Sequence, residues 1–349
     1  MGGNALKTVT PIRVTKHYYD SIINSIQDAI DSAVTAGGLP DDLVIRPILA
    51  YANKVDYGDA DILVYSSKYD PFQLAHVLGA DEVVRNGPVS SIAMPLVGGN
   101  HFQVDFIFTN DMEWAAMYFD YNDFGNLVGR VAARLGFKFG HDGLWYVLRD
   151  SENKDLVIEE LLVTRDMETA FMLIGYDWRK YCETDFVDLE DVFHYVVANP
   201  YFDKSIYLLE NRNHVARQRD KKRKTYMRFL EWLENDAVAW YSSSLDLETI
   251  RMDRLKMAYD IFDPFRLAYD VAVRNHAIIK ESKQKFNGEL VQQWTGLQSG
   301  PKLGEVIQDF KLLGHRDETL FNSYVAVTSA EIISLHFKMW WERNRHFYV

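Results

Sequence analysis

Apolar positions recur at helical spacing from Tyr18 to Val34 (YYDSIINSIQDAIDSAV), and Gly37-Gly38-Leu39-Pro40 stops the pattern. The period then shortens. Leu43–Tyr51 (LVIRPILAY) and Asp61–Tyr65 (DILVY) read as apolar strands, and Phe102–Phe108 (FQVDFIF) as another after the turn-rich Val97-Gly98-Gly99-Asn100. Residues 1–110 therefore predict an α/β arrangement. From about residue 111 the pattern is mixed and mostly helical, with a hairpin or short sheet around Gly136–Leu148. Asp188 is a good helix cap, and Asn199-Pro200 ends the helix it opens. From Ser205 onward the signals are helical, including a long charged helix near 208–236 and an amphipathic last helix near 328–344. No internal repeat or low-complexity linker interrupts the chain.

Composition narrows the class. Of 349 residues 48% are hydrophobic and 14% aromatic, which supplies a sizeable core and excludes a disordered chain. The single cysteine, Cys182, excludes a disulfide framework and a cysteine-based zinc cluster, and the histidines show no metal-ligand spacing. No apolar run reaches the roughly 18–20 residues of a membrane helix, and no basic-then-apolar leader opens the chain. The expectation is a cytoplasmic protein with no membrane partner; nothing in the sequence sets an oligomeric state.

The net charge of −12 disfavours a purely electrostatic nucleic-acid coat, but it is unevenly spread. Arg212–Arg228 holds eight basic residues against Asp220 alone, a local +7 that leaves −19 for the rest. An acidic body with one basic helix, flanked by Tyr226, Phe229 and Trp232, suits a local grip on a nucleic-acid backbone. The candidate contacts are Arg217, Arg219, Lys221, Lys222, Arg223, Lys224 and Arg228.

The chemistry concentrates in Val55-Asp56-Tyr57-Gly58-Asp59-Ala60-Asp61-Ile62-Leu63-Val64. Residues i and i+2 of a strand share a face, so Asp59 and Asp61 present carboxylates about 7 Å apart. A second strand, Gln103-Val104-Asp105-Phe106-Ile107-Phe108, embeds one acid in an apolar run, which is costly unless the charge is compensated. If the strands are neighbours, three carboxylates converge, and hard divalent cations are the natural compensation. Such clusters hold two Mg²⁺ ions roughly 3.5–4 Å apart for in-line phosphoryl or nucleotidyl transfer.

Further along, Trp114–Tyr146 (WAAMYFDYNDFGNLVGRVAARLGFKFGHDGLWY) resembles the palm-to-thumb region of the X-family, polymerase beta-like DNA polymerases. In that family a Tyr-Phe-Thr-Gly-Ser follows the third catalytic acid, with an Asn seven residues after the Phe and an Arg four further on. Tyr118-Phe119, Asn126, Arg130 and Leu135-Gly136-Phe137 keep this spacing, while Gly58-Asp59-Ala60-Asp61 and Val104-Asp105 match the acidic strands. The resemblance implies an α+β nucleotidyltransferase fold: a palm with a mixed sheet over 1–112, a thumb-like nucleotide-binding region over 113–204, and an all-helical nucleic-acid-binding region over 205–349. It implies that Asp59, Asp61 and Asp105 ligate two Mg²⁺ (or Mn²⁺) ions, with Asp105 helping to activate the attacking 3′-hydroxyl. Gly58 would lie in the nucleotide site, Tyr118 and Phe119 would line the sugar pocket, and Asn126 and Arg130 would touch the incoming base or nascent pair. The reaction would be attack of a nucleic-acid 3′-hydroxyl on the α-phosphate of a (d)NTP.

The chain departs from the family at two places. Thr-Gly-Ser is replaced by Asp120-Tyr121-Asn122, where sugar selection would reside. The phosphate-cradling Gly-Ser or Gly-Gly, due about ten residues before the first Asp, is Ile48-Leu49-Ala50-Tyr51-Ala52-Asn53-Lys54 instead. Gly2-Gly3-Asn4 is the candidate replacement, its backbone N–H groups meeting the β- and γ-phosphates, with Lys7, Arg13 or Lys54 adding charge. Trp294–Ile307, with Gly300-Pro301-Lys302-Leu303-Gly304, resembles a turn of tRNA nucleotidyltransferases and bacterial poly(A) polymerases, which admits an RNA acceptor such as tRNA as the alternative. A catalytically inactive nucleic-acid-binding protein is the second alternative. Deleting residues 2–4 is expected to raise KM for the nucleotide strongly; unchanged steady-state kinetics would remove the phosphate role from this segment.

Overall fold

A computed structural model of the protein describes residues 5–235, 246–312 and 317–349. The chain divides into two compact units, one formed by residues up to Val147 with Glu160–Phe262, the other by Leu148–Glu159 with the residues from Asp263 on. The expected boundaries at 112 and 204 both lie inside the first unit.

The first unit opens with β1 (Val14–Thr15) and α1 (Lys16–Thr35), followed by β2 (Val44–Pro47), β3 (Asp56–Tyr57), β4 (Asp59–Tyr65) and α2 (Pro71–Val77). Next come β5 (Val83–Asn86), β6 (Val89–Pro95), β7 (His101–Phe108), α3 (Met112–Phe119) and α4 (Phe124–Arg134). Strands β8 (Phe137–Gly140), β9 (Gly143–Arg149) and β10 (Val157–Thr164) form a three-stranded sheet in the order β10-β9-β8. Helices α5 (Met167–Leu173), α6 (Trp178–Glu183), α7 (Leu189–Val197), α8 (His214–Lys221), α9 (Lys224–Asn235) and α10 (Leu247–Ile261) complete it.

The principal sheet is mixed, in the order β2-β4-β7-β6-β5, and the central β4–β7 pair is its parallel one. Alternation assigns its two faces. Ala60, Ile62 and Val64 of β4, with Phe102, Val104 and Phe106 of β7, are buried in one core with Tyr19, Ile22, Ile26 and Ile30 of α1. On the opposite face Leu63 and Ile107 pack under Ala115 and Ala116 of α3, with Phe119 against them. The same face turns acidic two residues earlier on each strand, at Asp61 and Asp105.

Helix α1 covers the predicted Tyr18–Val34 and is capped by Thr15; Gly37, at φ 73°, takes the left-handed turn that releases the chain. Strand β2 is shorter than the predicted Leu43–Tyr51. Ile48 N–H still bonds to Asp61 O of β4, in register, and then the N–H groups leave the ladder: Leu49 donates to Asp120 Oδ1, Ala52 to Phe186 O and Asn53 to Val187 O. The pattern did not announce α2, β5 or β6. The predicted helix over 208–236 is two helices, because Lys222 N–H and Arg223 N–H bond back three residues to Arg219 O and Asp220 O and tighten the turn.

The second unit contains α11 (Asp263–Lys285), α12 (Gly288–Thr295), α13 (Pro301–Leu312), α14 (Glu318–Val327) and α15 (Ala330–Asn344). Phe286, Phe321, Phe337, Trp340 and Trp341 dominate its core. Gly296, at φ 73°, caps α12, and Pro301 starts α13, so the glycine-punctuated segment is a helix–helix connection. On the β9–β10 turn, Asp150 accepts from the Glu152 and Asn153 N–H groups and lies 2.7 Å from His276 Nε2 of α11. The His276 contact, then the two N–H donors, hold its pKa down at about 2.

Helix α4 crosses α3 closely. A Cβ at Gly125 would lie 2.3 Å from Tyr118 O and 2.6 Å from its ring, whereas one at Gly129 meets nothing nearer than 3.7 Å. Gly125→Ala should therefore cost about 2 kcal/mol, and Gly129→Ala should be neutral or stabilise by up to about 1 kcal/mol. Urea denaturation of the two variants checks the contrast.

Candidate active site

The β4–β7 register pairs Asp59 with Gln103 and Asp61 with Asp105, so four polar side chains occupy adjacent positions on one sheet face. Asp59, Asp61 and Asp105 bring ligand oxygens within 4.8 Å of one another, a grouping that could hold a metal ion. The donor set is all carboxylate, which suits a hard divalent cation rather than zinc or copper.

The carboxylates are held, not merely crowded. Gln103 Nε2 donates to both oxygens of Asp105, at 2.9 and 3.0 Å, and Ser91, opposite Asp105 on β6, adds a hydroxyl donor. Gln103 is itself pinned, its Oε1 accepting the Ala5 N–H at 3.0 Å. Burial, followed by the charges of Asp59 and Asp105, pushes Asp61 up to about 7. Burial also raises Asp105, against the two hydrogen-bond donors.

Cations stand at the rim. Antiparallel β1–β3 pairing sets Thr15 opposite Asp56, and Arg13 Nε lies 2.6 Å from Asp56 Oδ2. Lys54 Nζ sits 4.4 Å over the Tyr57 ring; burial lowers its pKa while Asp59 and Asp61 pull it up. Arg13 holds Asp56 below its usual range, and Lys54 and Lys224 reinforce the effect, so α9 presents positive charge toward this rim.

The aromatic pair lies beside the acids. Phe119 packs on Leu63 and Ile107, each two residues past a carboxylate, and meets Tyr118 edge-on at 5.1 Å. Both rings also face His141. Asp120 caps the C-terminus of α3 and accepts the Leu49 N–H at 2.7 Å; burial raises its pKa to about 6. Tyr121 and Asn122 follow at φ 57° and 67°, two non-glycine residues in the left-handed region. The turn is held at a cost in strain, the Tyr121 ring packing on Phe186 at 4.3 Å.

Gly58 occupies the β3–β4 junction beside Asp59. Asn126 Nδ2 is buried without a hydrogen-bond partner. The guanidinium of Arg130 points to Asp220, at 3.0 Å. Lys7 is exposed, with its backbone N–H on Glu82. Gly2, Gly3 and Asn4 lie outside the described residues. Within the basic run, Arg219 pairs with Asp220, Arg223 with Asp123 and Arg228 with Glu190, while Arg217, Lys221, Lys222 and Lys224 form no ion pair among the described residues. Tyr226 and Phe229 are fully buried, so they are core residues and not a stacking platform. Gln103 and Ser91 escaped the sequence reading; Gln103 was detectable as the polar i−2 neighbour of Asp105 in an apolar strand.

No protein-family model and no curated protein sequence matches the chain.

The raised Asp61 pKa has a definite sign. Between about pH 4 and 7 the folded state binds more protons than the unfolded, so metal-free stability falls as pH rises through that window. In EDTA at pH 8, Asp61→Asn should raise Tm by about 2–5 °C, measured by calorimetry, and the gain should vanish at pH 4.

Proposed function

We propose that the chain is a metal-dependent nucleotidyltransferase with a polymerase beta-like palm, joining a nucleoside monophosphate from a (d)NTP to a nucleic-acid 3′-hydroxyl. The observation that carries this reading is the in-register placement of Asp59, Asp61 and Asp105 on the central parallel pair, their oxygens within 4.8 Å. Three carboxylates so close, one retaining its proton to about pH 7, repel one another, and the all-oxygen donor set fits Mg²⁺ or Mn²⁺, which would supply positive charge between them. When bound, two such ions would screen the triphosphate and lower the pKa of the attacking hydroxyl.

The chain's own residues supply the rest. Gln103 and Ser91 fix the Asp105 carboxylate at an orientation that leaves it facing Asp61. In the transfer, the 3′-oxygen bonds to the α-phosphorus, the bond to the pyrophosphate oxygen breaks, and the hydroxyl proton leaves through the carboxylate cluster. Lys54 and Arg13 at the rim favour the phosphates electrostatically. The Tyr118–Phe119 pair offers an apolar wall for the sugar, and Lys221, Lys222 and Lys224 an exposed basic edge for the acceptor strand.

The 48–54 loop does not cradle phosphates in this reading, since its Ile48, Leu49, Ala52, Asn53 and Lys54 N–H groups are all bound internally. Ala5, the first described residue, is tied to Gln103 on the carboxylate face, and in this reading the preceding Gly2-Gly3 of the sequence meets the triphosphate.

The test is incorporation of labelled dNTPs and NTPs, with Mg²⁺ or Mn²⁺, into gapped DNA, primed DNA, single strands and tRNA. Extension of one acceptor is expected, falling at least 10³-fold in Asp59→Asn and Asp61→Asn. Incorporation that survives both substitutions would overturn the proposal, as would its absence on every acceptor with a folded protein that binds no Mn²⁺. Extension of tRNA alone would make RNA the acceptor.

A further inference from the structure

Arginines gather a second time in the first unit, at the opposite end of α4 from Tyr118. Arg130 and Arg134 stand one turn apart on that helix, and Arg134 lies about 15 Å along it from Phe124. With Arg212 and with Arg251 of α10 they line an open pocket of about 430 Å³. Four guanidinium groups face it, and the acids available are few. Asp220, wholly buried, is shared among Arg130 at 3.0 Å, Arg212 at 3.3 Å and Arg219 at 3.4 Å. Asp203 lies 2.6 Å from Arg134 Nη1, and Glu248 is 4.0 Å from Arg251.

The donors are not satisfied by this arrangement. The Nε–H groups of Arg130 and Arg134 are buried and make no hydrogen bond, their side chains being 13% and 8% exposed, while Arg212 reaches Asp220 through its own Nε. A buried donor without a partner costs free energy, more so on a charged group, and folded proteins keep few of them. Burial, then the neighbouring Arg212, depresses the Arg130 pKa; burial, then Arg251, depresses that of Arg134. The pocket thus gathers more arginines than acids, and their forked donors, in a concave site of ligand size.

We infer that this pocket binds a phosphate-bearing anion, taken up by the orphaned Nε–H groups of Arg130 and Arg134 and by the guanidinium edges of Arg212 and Arg251. A planar fork of N–H donors matches a tetrahedral oxyanion two oxygens at a time, and the volume accommodates a diphosphate. The site is separate from the carboxylate cluster, and it stands whether or not nucleotidyl transfer occurs there. The same chemistry is offered by a free phosphorylated small molecule and by the terminal phosphate of a nucleic-acid strand.

Calorimetric titration of the full chain with sodium pyrophosphate, in EDTA and at constant ionic strength, tests the inference. One saturable site is expected, weakened at least tenfold in Arg134→Gln and in Arg251→Gln, and retained in Asp59→Asn/Asp61→Asn. Arg251 is the more exposed of the two, so its variant keeps the test open if Arg134→Gln does not fold. Absence of saturable binding, binding indifferent to both arginine substitutions, or binding lost with the two aspartates would overturn it. Displacement of pyrophosphate by a 5′-phosphorylated oligonucleotide, and not by its 5′-hydroxyl form, would assign the site to a strand end; displacement by neither would assign it to a free phosphorylated compound.

Discussion

Placing three carboxylates within one ligand sphere is the constraint to which the first unit answers. Like charges at such distances repel strongly once water is partly excluded. The fold accepts this by building the cluster on the parallel β4–β7 pair at the centre of the sheet. One face of that pair is wholly apolar and packed on α1; the other is apolar only where α3 covers it. The acids occupy the portion beyond α3, where Asp105 is buried. Gln103 and Ser91 then hold Asp105 still, so the repulsion is borne by oriented groups instead of being relieved by rotation.

The surroundings follow from that choice. The N-terminal segment runs beside the cluster through Ala5 and joins β3 through β1, which sets Arg13 against Asp56. The 48–54 loop is drawn away toward α3 and the 186–188 segment, and Asp120 is consumed in holding it. Asp120 is therefore a structural clamp, and the strained Tyr121-Asn122 turn is retained by aromatic packing on Phe186. Strain sustained by packing in this way is a common feature of ligand sites.

Positive charge in the unit is divided between two roles. Arg223 and Arg228 tie α9 to Asp123 and Glu190, and Asp220 ties α8 to α4 through Arg130. The lysines remain exposed. A single buried acid thus organises three arginines, while the Nε donors of Arg130 and Arg134 stay without a hydrogen-bond partner.

Much of this was legible in the chain itself. Short apolar runs located β4 and β7, and i, i+2 spacing placed Asp59 and Asp61 on one face; those features are local, because a strand alternates its side chains whatever surrounds it. Helix α1, its glycine stop, the Asp188 cap and the hairpin near Gly136 were local in the same sense. The convergence of Asp105 with the pair, and the role of Gln103, depended on which strands became neighbours and in what register. Sequence spacing does not encode register across 40 residues; packing of the apolar face against α1 selects it. Tertiary structure likewise broke the charged helix at Lys222, buried Tyr226 and Phe229, and turned Arg130 to Asp220, since charge and aromaticity read from one helix do not reveal which face its neighbours will cover.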